Sequence, residues 1–159
     1  MKREEIPEEV EMQPDGGKVL VSRFWRTICG GEPASVDDLL APGYRLHDLT
    51  NRRDHGPEEA RELAAALHDT VPGLALVIED QALAEDGRVV TRFTLRAPLR
   101  DEPGFSAECR GIDVSRVGED GISESWVSWD TARLERELGP PPEEDSDRTV
   151  RWWRWPPWR

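Results

Sequence analysis

Two alternating runs of residues, separated by the sequence Gly-Glu-Asp-Gly, constrain the fold of this chain more than any other feature. The runs cover residues 112–117 and 122–127, and β-branched or aromatic residues alternate with polar ones in both. This period of two, with glycine on both sides of a short turn, predicts a β-hairpin. Because polar residues recur inside both strands, one face of the hairpin can line a pocket instead of packing dry.

The length of the hairpin loop decides where Asp113 points. Its side chain leaves the strand on the opposite face from its two apolar neighbours, toward a pocket or toward solvent. A three-residue loop places Asp113, Ser115 and Ser125 on one face, whereas a four-residue loop pairs Asp113 with Trp126. Both registers remain open from the sequence, and Asp113 is the candidate catalytic carboxylate.

Periodicity and the positions of Gly and Pro predict the other elements. Helices are expected at residues 18–29, 36–40 with Ser35 as N-cap, 58–69 and 131–138. Strands are expected at residues 44–48, 75–84, 88–97, 105–117 and 122–129. This order predicts an α+β cone, in which helices pack on one face of a curved antiparallel sheet.

The chain divides by composition into four segments. Its 159 residues suit one domain, expected at 17–139, after a disordered acidic arm at 1–16. A Pro-rich and acidic linker at 140–147 leads to a Trp- and Arg-rich tail at 148–159. Without the tail's four arginines, 17 basic residues face 33 acidic ones, a net charge of −16. Such a body repels nucleic acid, so no nucleic-acid partner is expected.

Cysteine usage and hydropathy predict a cytoplasmic protein. Cys29 and Cys109 form no CxxC motif and are expected to be reduced thiols. The acidic N-terminus is not expected to act as a signal peptide, and no apolar run approaches the roughly 20 residues that span a bilayer. No His, Cys and carboxylate cluster has metal-ligand spacing, so no metal is expected. His55 and His68 are expected on the surface, in a loop and a helix.

A series of short motifs runs through residues 18–139. They are VSRFW (21–25), LLAPGY (39–44), HD (47–48), GPE (56–58), VPGL (71–74), GRVV (87–90), RGID (110–113), DGI (120–122), Trp126 and LERELG (134–139). Their order resembles the SnoaL-like branch of the nuclear-transport-factor-2-like (NTF2-like) superfamily, which includes polyketide cyclases. The resemblance implies a cone-shaped pocket for a small apolar or polyketide-like ligand, often in a homodimer. It also implies cyclase- or isomerase-type acid–base chemistry that needs no metal or organic cofactor.

The same resemblance nominates site residues. His47 and Asp48 stand where the family usually has a pocket-facing pair, with a solvated strand end as the alternative, and join Asp113 as catalytic candidates. The expected ligand-pocket residues are Trp25, Tyr44, Arg92, Ser125 and Trp126. Core packing remains the alternative for the two tryptophans, and a surface position remains the alternative for Arg92.

Two departures from the family pattern suggest a depleted catalytic set. Ser125 stands where relatives commonly carry a histidine or an acid, and a hydroxyl with its ordinary proton affinity cannot act as a general acid near neutral pH. The segment 96–99 lacks the Gly-Thr-His found in many relatives after the third strand, so the usual second donor is absent. The sequence therefore does not decide whether the protein is an enzyme.

The tail resembles indolicidin-type antimicrobial peptides, in which indoles and arginines meet a membrane surface. Four of the chain's seven tryptophans lie in it, at Trp152, Trp153, Trp155 and Trp158. Three alternatives remain open. The tail can dock on the body or a dimer partner, or contact another protein or a membrane. Alternatively, the chain is a precursor, whose body is a leader that presents a ribosomally made core peptide to modifying enzymes.

Overall fold

The computed structural model describes residues 14–50, 52–99 and 102–138, which form three α-helices, a 3₁₀ helix and six strands. In chain order these are α1 (Pro14–Gly30), the 3₁₀ helix (Pro33–Leu39), β1 (Leu40–Asp48), β2 (Arg53–His55), α2 (Pro57–Thr70), β3 (Ala75–Leu83), β4 (Val89–Pro98), β5 (Ser106–Gly118), β6 (Gly121–Trp129) and α3 (Thr131–Leu138).

All six strands belong to one curved sheet with the order β2-β1-β6-β5-β4-β3. Strands β3 to β6 form the predicted antiparallel meander. Strand β1 pairs antiparallel with β2 but parallel with β6, so one pair departs from the antiparallel prediction. A parallel neighbour is permitted here because α2 and the whole meander connect β1 to β6. The helices pack on one side of the sheet, which we call the inner face, and the expected α+β cone is confirmed.

The β5–β6 hairpin has a two-residue turn at Glu119 and Asp120, since Gly118 pairs with Gly121. The register then shifts: Val117 pairs with Ile122 but Arg116 pairs with Glu124, which leaves Ser123 as a β-bulge. Beyond the bulge, Ser115 faces Ser125 and Asp113 faces Val127. The polar residues Asp113, Ser115 and Ser125 therefore share the inner face, as the three-residue loop predicted, although a shorter turn and a bulge produce this outcome.

An apolar stripe on α1 forms the centre of the core. Val21, Phe24, Trp25 and Ile28 recur at helical spacing and are almost completely buried. The Trp25 ring stacks on Phe93 of β4, with ring centroids 5.2 Å apart. Burial of such large side chains stabilises a fold by about 1.5–3 kcal/mol each, so this stripe holds α1 on the sheet.

Several local predictions need correction. The second helix is a 3₁₀ helix that begins at Pro33, and its N-cap is Glu32 rather than Ser35. His55 is 7% exposed in β2 and is not a surface loop residue. Helix α1 begins at Pro14, inside the segment expected to be disordered, while residues 1–13 lie outside the described part. His68 is exposed on α2, as predicted.

No helix in the described ranges is long and apolar enough to cross a membrane.

Candidate functional site

Asp113 lies at the centre of the inner face, with none of its surface exposed. Its cross-strand neighbours are Thr91 on β4 and Val127 on β6. Ser115 Oγ donates a hydrogen bond of 2.7 Å to Asp113 Oδ2. The other carboxyl oxygen, Oδ1, has no hydrogen-bond partner among the described residues. One oxygen is therefore fixed, and the other is buried without a hydrogen-bond partner in the described part of the chain.

Burial raises the pKa of Asp113 to about 7, although Ser115 and Trp25 act in the opposite direction. The cause is the loss of hydration, which disfavours the ionised form of a carboxyl in an apolar interior. A carboxyl with a pKa near neutrality exists in both protonation states under ordinary conditions. That property suits a general acid or base.

Three hydroxyls extend from Asp113 across the sheet to β1. Ser115 Oγ and Ser125 Oγ are 2.8 Å apart, and neither serine is exposed. Tyr44, on β1, is 1% exposed and faces Ser125. Burial raises the pKa of Tyr44 well above its usual value, while the Ser125 contact lowers it and the Asp113 charge raises it. The Tyr44 hydroxyl nevertheless completes no hydrogen bond within the described residues.

Trp25 supplies a second donor beside Asp113. Its indole N–H faces the carboxyl and lowers the pKa of Asp113, but Nε1 also completes no hydrogen bond among the described residues. Three buried polar atoms thus lack partners here: Trp25 Nε1, Tyr44 Oη and Asp113 Oδ1. Buried polar groups are normally paired, because an unmet one costs about 1–3 kcal/mol. These three atoms therefore form a buried polar group whose hydrogen-bonding capacity is unmet within the described residues.

His47 lies on the opposite, outer face of the sheet. Its Nδ1 is 2.7 Å from Asp54 Oδ1 and its Nε2 is 2.9 Å from Glu124 Oε1. Partial burial lowers the pKa of His47, but the hydrogen bonds to Glu124 and Asp54 outweigh this effect and raise it overall. The His47 ring also stacks on Trp126, with centroids 5.4 Å apart.

The structure does not bring His47, Arg92 or Trp126 to Asp113. Trp126 pairs with Val114, so alternation along β6 directs it to the outer face, where the Arg116 guanidinium lies 5.6 Å from the ring centre. Arg92 bonds Asp80 at 2.6 Å and lines a groove of about 610 Å³ on that face. These three positions follow from strand parity, because residues on either side of an inner residue must point outward.

Asp48 does share the inner face with Asp113. It is 4% exposed and pairs with Val127, which itself pairs with Asp113, so two strand spacings separate the two carboxyls. His55 lies close enough for the Asp48 charge to raise its pKa, although burial, the larger effect, lowers it. Asp48 therefore stands at the side of the site rather than at its centre.

The inner face thus collects Asp113, Asp48, Trp25, Tyr44 and Ser125 from the predicted set. Ser115 completes the cluster but was not a predicted site residue, even though its position two residues after Asp113 gave the signal. Within the described residues, no group of three metal-ligating side chains occurs. The tail tryptophans Trp152, Trp153, Trp155 and Trp158 lie outside the described part of the chain.

Solved structures show the same fold at low sequence identity. IdmH from Streptomyces antibioticus, provisionally named a polyketide cyclase, has a TM-score of 0.66 and 19% identity, covering 81% of this chain and all of its own. TsrD from Streptomyces laurentii has a TM-score of 0.64 and 24% identity, covering 81% and 98% of the two chains. A Bacillus cereus protein, also provisionally named a polyketide cyclase, has a TM-score of 0.65 and 23% identity, covering 76% and 78%.

Among curated proteins, no sequence matches this chain significantly. The sequence model of the SnoaL-like domain, in contrast, matches residues 21–126. The match begins in α1, ends in β6 and includes every residue of the Asp113 cluster. The chain therefore belongs to the SnoaL-like domain family.

Proposed function

We propose that this protein binds a small apolar or polyketide-like molecule on the inner face of the cone, and that Asp113 performs cofactor-independent acid–base chemistry of the cyclase or isomerase type on it. The observation that carries the proposal is the fully buried Asp113, whose pKa is raised to about 7 and whose Oδ1 is unpaired among the described residues. The family and the polyketide-cyclase names of similar structures support the class of ligand.

The cluster can divide the work of an enolisation among its residues. Asp113 Oδ1 accepts a proton from a carbon next to a carbonyl group, and the electron pair of that C–H bond moves to form an enolate. Tyr44 and Trp25 each hold an unused donor near Asp113 and can stabilise the enolate oxygen. Asp113 then returns the proton to another carbon of the enolate. Alternatively, the enolate carbon attacks a second carbonyl carbon and closes a ring, the π electron pair of that carbonyl moves to its oxygen, and the resulting alkoxide takes the proton from Asp113.

In the family pattern a titrating residue stands at the position of Ser125, but here Ser125 has a supporting role. It bonds Ser115, which in turn holds Asp113, so it supports the titrating residue instead of titrating. The raised pKa of Asp113 comes mainly from burial and needs no second ionisable residue beside it. A missing histidine or acid at position 125 therefore does not remove acid–base chemistry from this site.

Deuterium exchange into a simple ketone tests the proposal without knowledge of the natural substrate. We expect the protein to accelerate exchange at the α-carbons of 2-tetralone in D₂O, followed by proton NMR. Asp113→Asn should slow the catalysed exchange by about 10²- to 10⁴-fold, the usual contribution of a general base. Asp120→Asn, the same change in the exposed hairpin turn, is the matched control. A wild-type rate in Asp113→Asn would exclude Asp113 as the base.

A second candidate concerns the tail and rests on its composition. In this hypothesis the SnoaL-like body is the leader or carrier of a modified Trp-rich core peptide at residues 148–159, in which four tryptophans and four arginines are concentrated. Mass spectrometry of the protein from its producing cells tests it. A modified or missing tail is the expected result, and an intact, unmodified mass would reject the hypothesis.

The homodimer and the cytoplasmic location that the sequence suggested remain predictions. Sedimentation equilibrium of the purified chain, over a range of concentrations, measures the first. A dimer mass is expected, and a monomer at all concentrations would contradict it.

A further inference from the structure

We propose that the charge on Asp113 controls the Tyr44 hydroxyl through Ser115 and Ser125: Tyr44 is directed to Ser125 while Asp113 is ionised, and is released to a ligand oxygen when Asp113 takes up a proton. The catalytic meaning of this coupling rests on the proposed function. The coupling itself is a property of four buried side chains on neighbouring strands and can be measured without a substrate.

The direction of the hydrogen bonds is fixed by counting protons. Each hydroxyl carries one proton, and Ser115 spends its proton on Asp113 Oδ2 at 2.7 Å. The 2.8 Å contact between the two serines must then be a donation from Ser125 to Ser115. Ser125 has no proton left, so toward Tyr44 it can only accept. An ionised Asp113 thereby turns the Tyr44 O–H toward Ser125.

Protonation of Asp113 weakens the first bond of this chain. Hydrogen bonds to a carboxylate are roughly twice as strong as those to a neutral acceptor, and neighbouring bonds in a chain strengthen one another. Once Asp113 is neutral, Ser115 no longer has a strong preference for Oδ2, and the serine hydroxyls can reverse. The Tyr44 hydroxyl is then no longer held toward Ser125 and can donate elsewhere.

This coupling would make the Tyr44 hydroxyl available as a donor at the moment when Asp113 removes the proton. When Asp113 Oδ1 removes a proton from the carbon acid, the C–H electron pair forms the enolate and Asp113 becomes neutral. The same event releases the Tyr44 O–H, which donates a hydrogen bond to the new enolate oxygen and keeps its proton. Stabilisation that appears only as charge develops lowers the barrier without tightening ground-state binding. Ser115 and Ser125 are thus positioning residues, and Tyr44 is the residue that contacts the ligand.

Other titratable groups near the site must be separated from Asp113 in any experiment. Strand β1 also presents Asp48 to the inner face, and His55 of β2 lies beside it. Cys29 of α1 and Cys109 of β5 are buried, and burial raises the pKa of each to about 12. The polar side chains that α1, β4 and β6 bring to the Asp113 site are Trp25, Thr91 and Ser125, which do not titrate near neutrality. The pKa of His47 is raised overall, since its hydrogen bonds to Glu124 and Asp54 outweigh the effect of burial, but this residue lies on the outer face.

Tyr44 is the only tyrosine in the chain, which makes the test direct. Protein labelled with ¹³C at the tyrosine Cζ gives a single resonance that reports the state of the hydroxyl. From about pH 5 to about pH 9 we expect this resonance to shift with a midpoint near 7, the value for Asp113, since the pKa of Tyr44 lies far higher. Asp113→Asn should abolish the shift.

The decisive variants keep both Asp113 and Tyr44 and cut the link between them. Ser115→Ala and Ser125→Ala should each reduce the shift to less than about a quarter of its wild-type amplitude, because one missing hydroxyl interrupts the chain. Ser128→Ala, the same change at an exposed position on β6, should leave it intact. His47→Gln and Asp48→Asn should also leave the midpoint in place, which excludes those groups as its source.

A full wild-type shift in Ser115→Ala or in Ser125→Ala would overturn the proposal, since Tyr44 would then sense Asp113 through space. The two variants test the same chain at different bonds, so one of them suffices if the other fails to fold, as judged by amide NMR spectra. The proposed function fails separately, if deuterium exchange into 2-tetralone is absent. A shift that depends on both serines together with absent exchange would support the coupling and reject the catalysis.

Discussion

Asp113 links the protonation of the site to the stability of the fold. Its pKa rises from 3.8 to about 7 on burial, so the folded protein holds a proton that the unfolded chain has already released between these values. The free energy of unfolding must therefore fall as the pH rises from about 4 to above 7. A shift of about three pH units corresponds to about 4 kcal/mol, a large fraction of the stability of a small domain.

We expect Asp113→Asn to remove this pH dependence. Relative to wild type, the variant should gain up to about 4 kcal/mol in unfolding free energy between about pH 4 and about pH 8, because the amide has no charge to bury. Urea unfolding across this range measures the difference. Asp120→Asn, in the exposed turn, should follow the wild-type profile. Parallel profiles for Asp113→Asn and wild type would show that Asp113 does not titrate with a raised pKa.

The sequence singled out Asp113 but could not decide to which face of the sheet its side chain points. The reason lies in the local structure of the hairpin. The bulge at Ser123 changes the parity of β6 by one residue, and the hairpin loop alone does not reveal it. The sequence also placed His47 and Asp48 together as a pair, and the structure separates them for a simpler reason. Adjacent residues of a strand point to opposite faces, so only one of the two could reach the inner face.

His47 of β1 bonds Asp54 of β2 and Glu124 of β6, so it joins the β1–β2 hairpin to β6. Because a histidine titrates, this connection depends on pH. A histidine whose folded pKa is raised stabilises the fold fully below its unfolded value, and this contribution is lost as the pH rises through the folded value. His47→Gln should thus cost about 1 kcal/mol near pH 5.5 and little near pH 9. His68→Gln, at an exposed position on α2, is the control. An equal loss at both pH values would exclude the charged pair as the cause.

A close contact between β4 and β5 fixes the aromatic stack against α1. The Phe93 ring lies directly over Gly111, and a Cβ at position 111 would overlap two atoms of that ring and crowd a third. Because Phe93 stacks on Trp25, the ring cannot move without disturbing the packing of α1. Gly111 therefore couples strand spacing to the position of the Trp25 indole beside Asp113.

Gly111→Ala should destabilise the fold by about 1–3 kcal/mol, the usual cost of overpacking a core, and should move the Trp25 environment. Chemical denaturation measures the first effect, and Asp113→Asn combined with Gly111→Ala tests whether the two sites are coupled. Gly118→Ala is a matched control, because a Cβ there meets nothing within 4 Å. Equal stability of the two alanine variants would contradict the role of this contact.

Among the helices and strands, those with strong periodicity were predicted well and the short ones were not. The four meander strands, α1, α2 and α3 appear within a few residues of their predicted limits. Strand β2 has only three residues and exists because it pairs with β1, which is a tertiary effect that no local pattern encodes. Pro42 and Gly43 were expected to precede β1 but lie inside it, where a register shift and the positive φ of Gly43 accommodate them.

The two faces of the sheet divide the molecule by chemistry. The inner face holds the Asp113 cluster among aromatic side chains and is closed by α1 and α2. The outer face carries ion pairs such as Arg92 with Asp80 and Arg116 with Glu124, together with the half-buried Trp126. Family membership could be recognised from the order of the motifs, because the motifs include residues of both the inner and the outer face of the sheet. The ligand could not be recognised from the sequence, because the order of the motifs does not specify which side chains of the inner face remain without hydrogen-bond partners.

The C-terminal boundary of the folded body can be tested by truncation. The core residues, the Asp113 cluster and the family match all lie before residue 130, and α3 then packs on β5, where Glu137 Oε2 accepts the Glu108 N–H at 3.2 Å. Removing residues 140–159 should therefore change the thermal midpoint by less than about 2 °C and leave deuterium exchange into 2-tetralone unchanged.

Removing residues 131–159 instead should lower the thermal midpoint by about 4–8 °C, because the loss of α3 uncovers the end of β5. Circular dichroism during heating measures both truncations, and the difference between them separates the contribution of α3 from that of residues 140–159. If the shorter deletion already destabilised the protein as much as the longer one, residues 140–159 would have to contact the body. That result would favour the docked tail over the precursor, since a core peptide must be accessible to the enzymes that modify it.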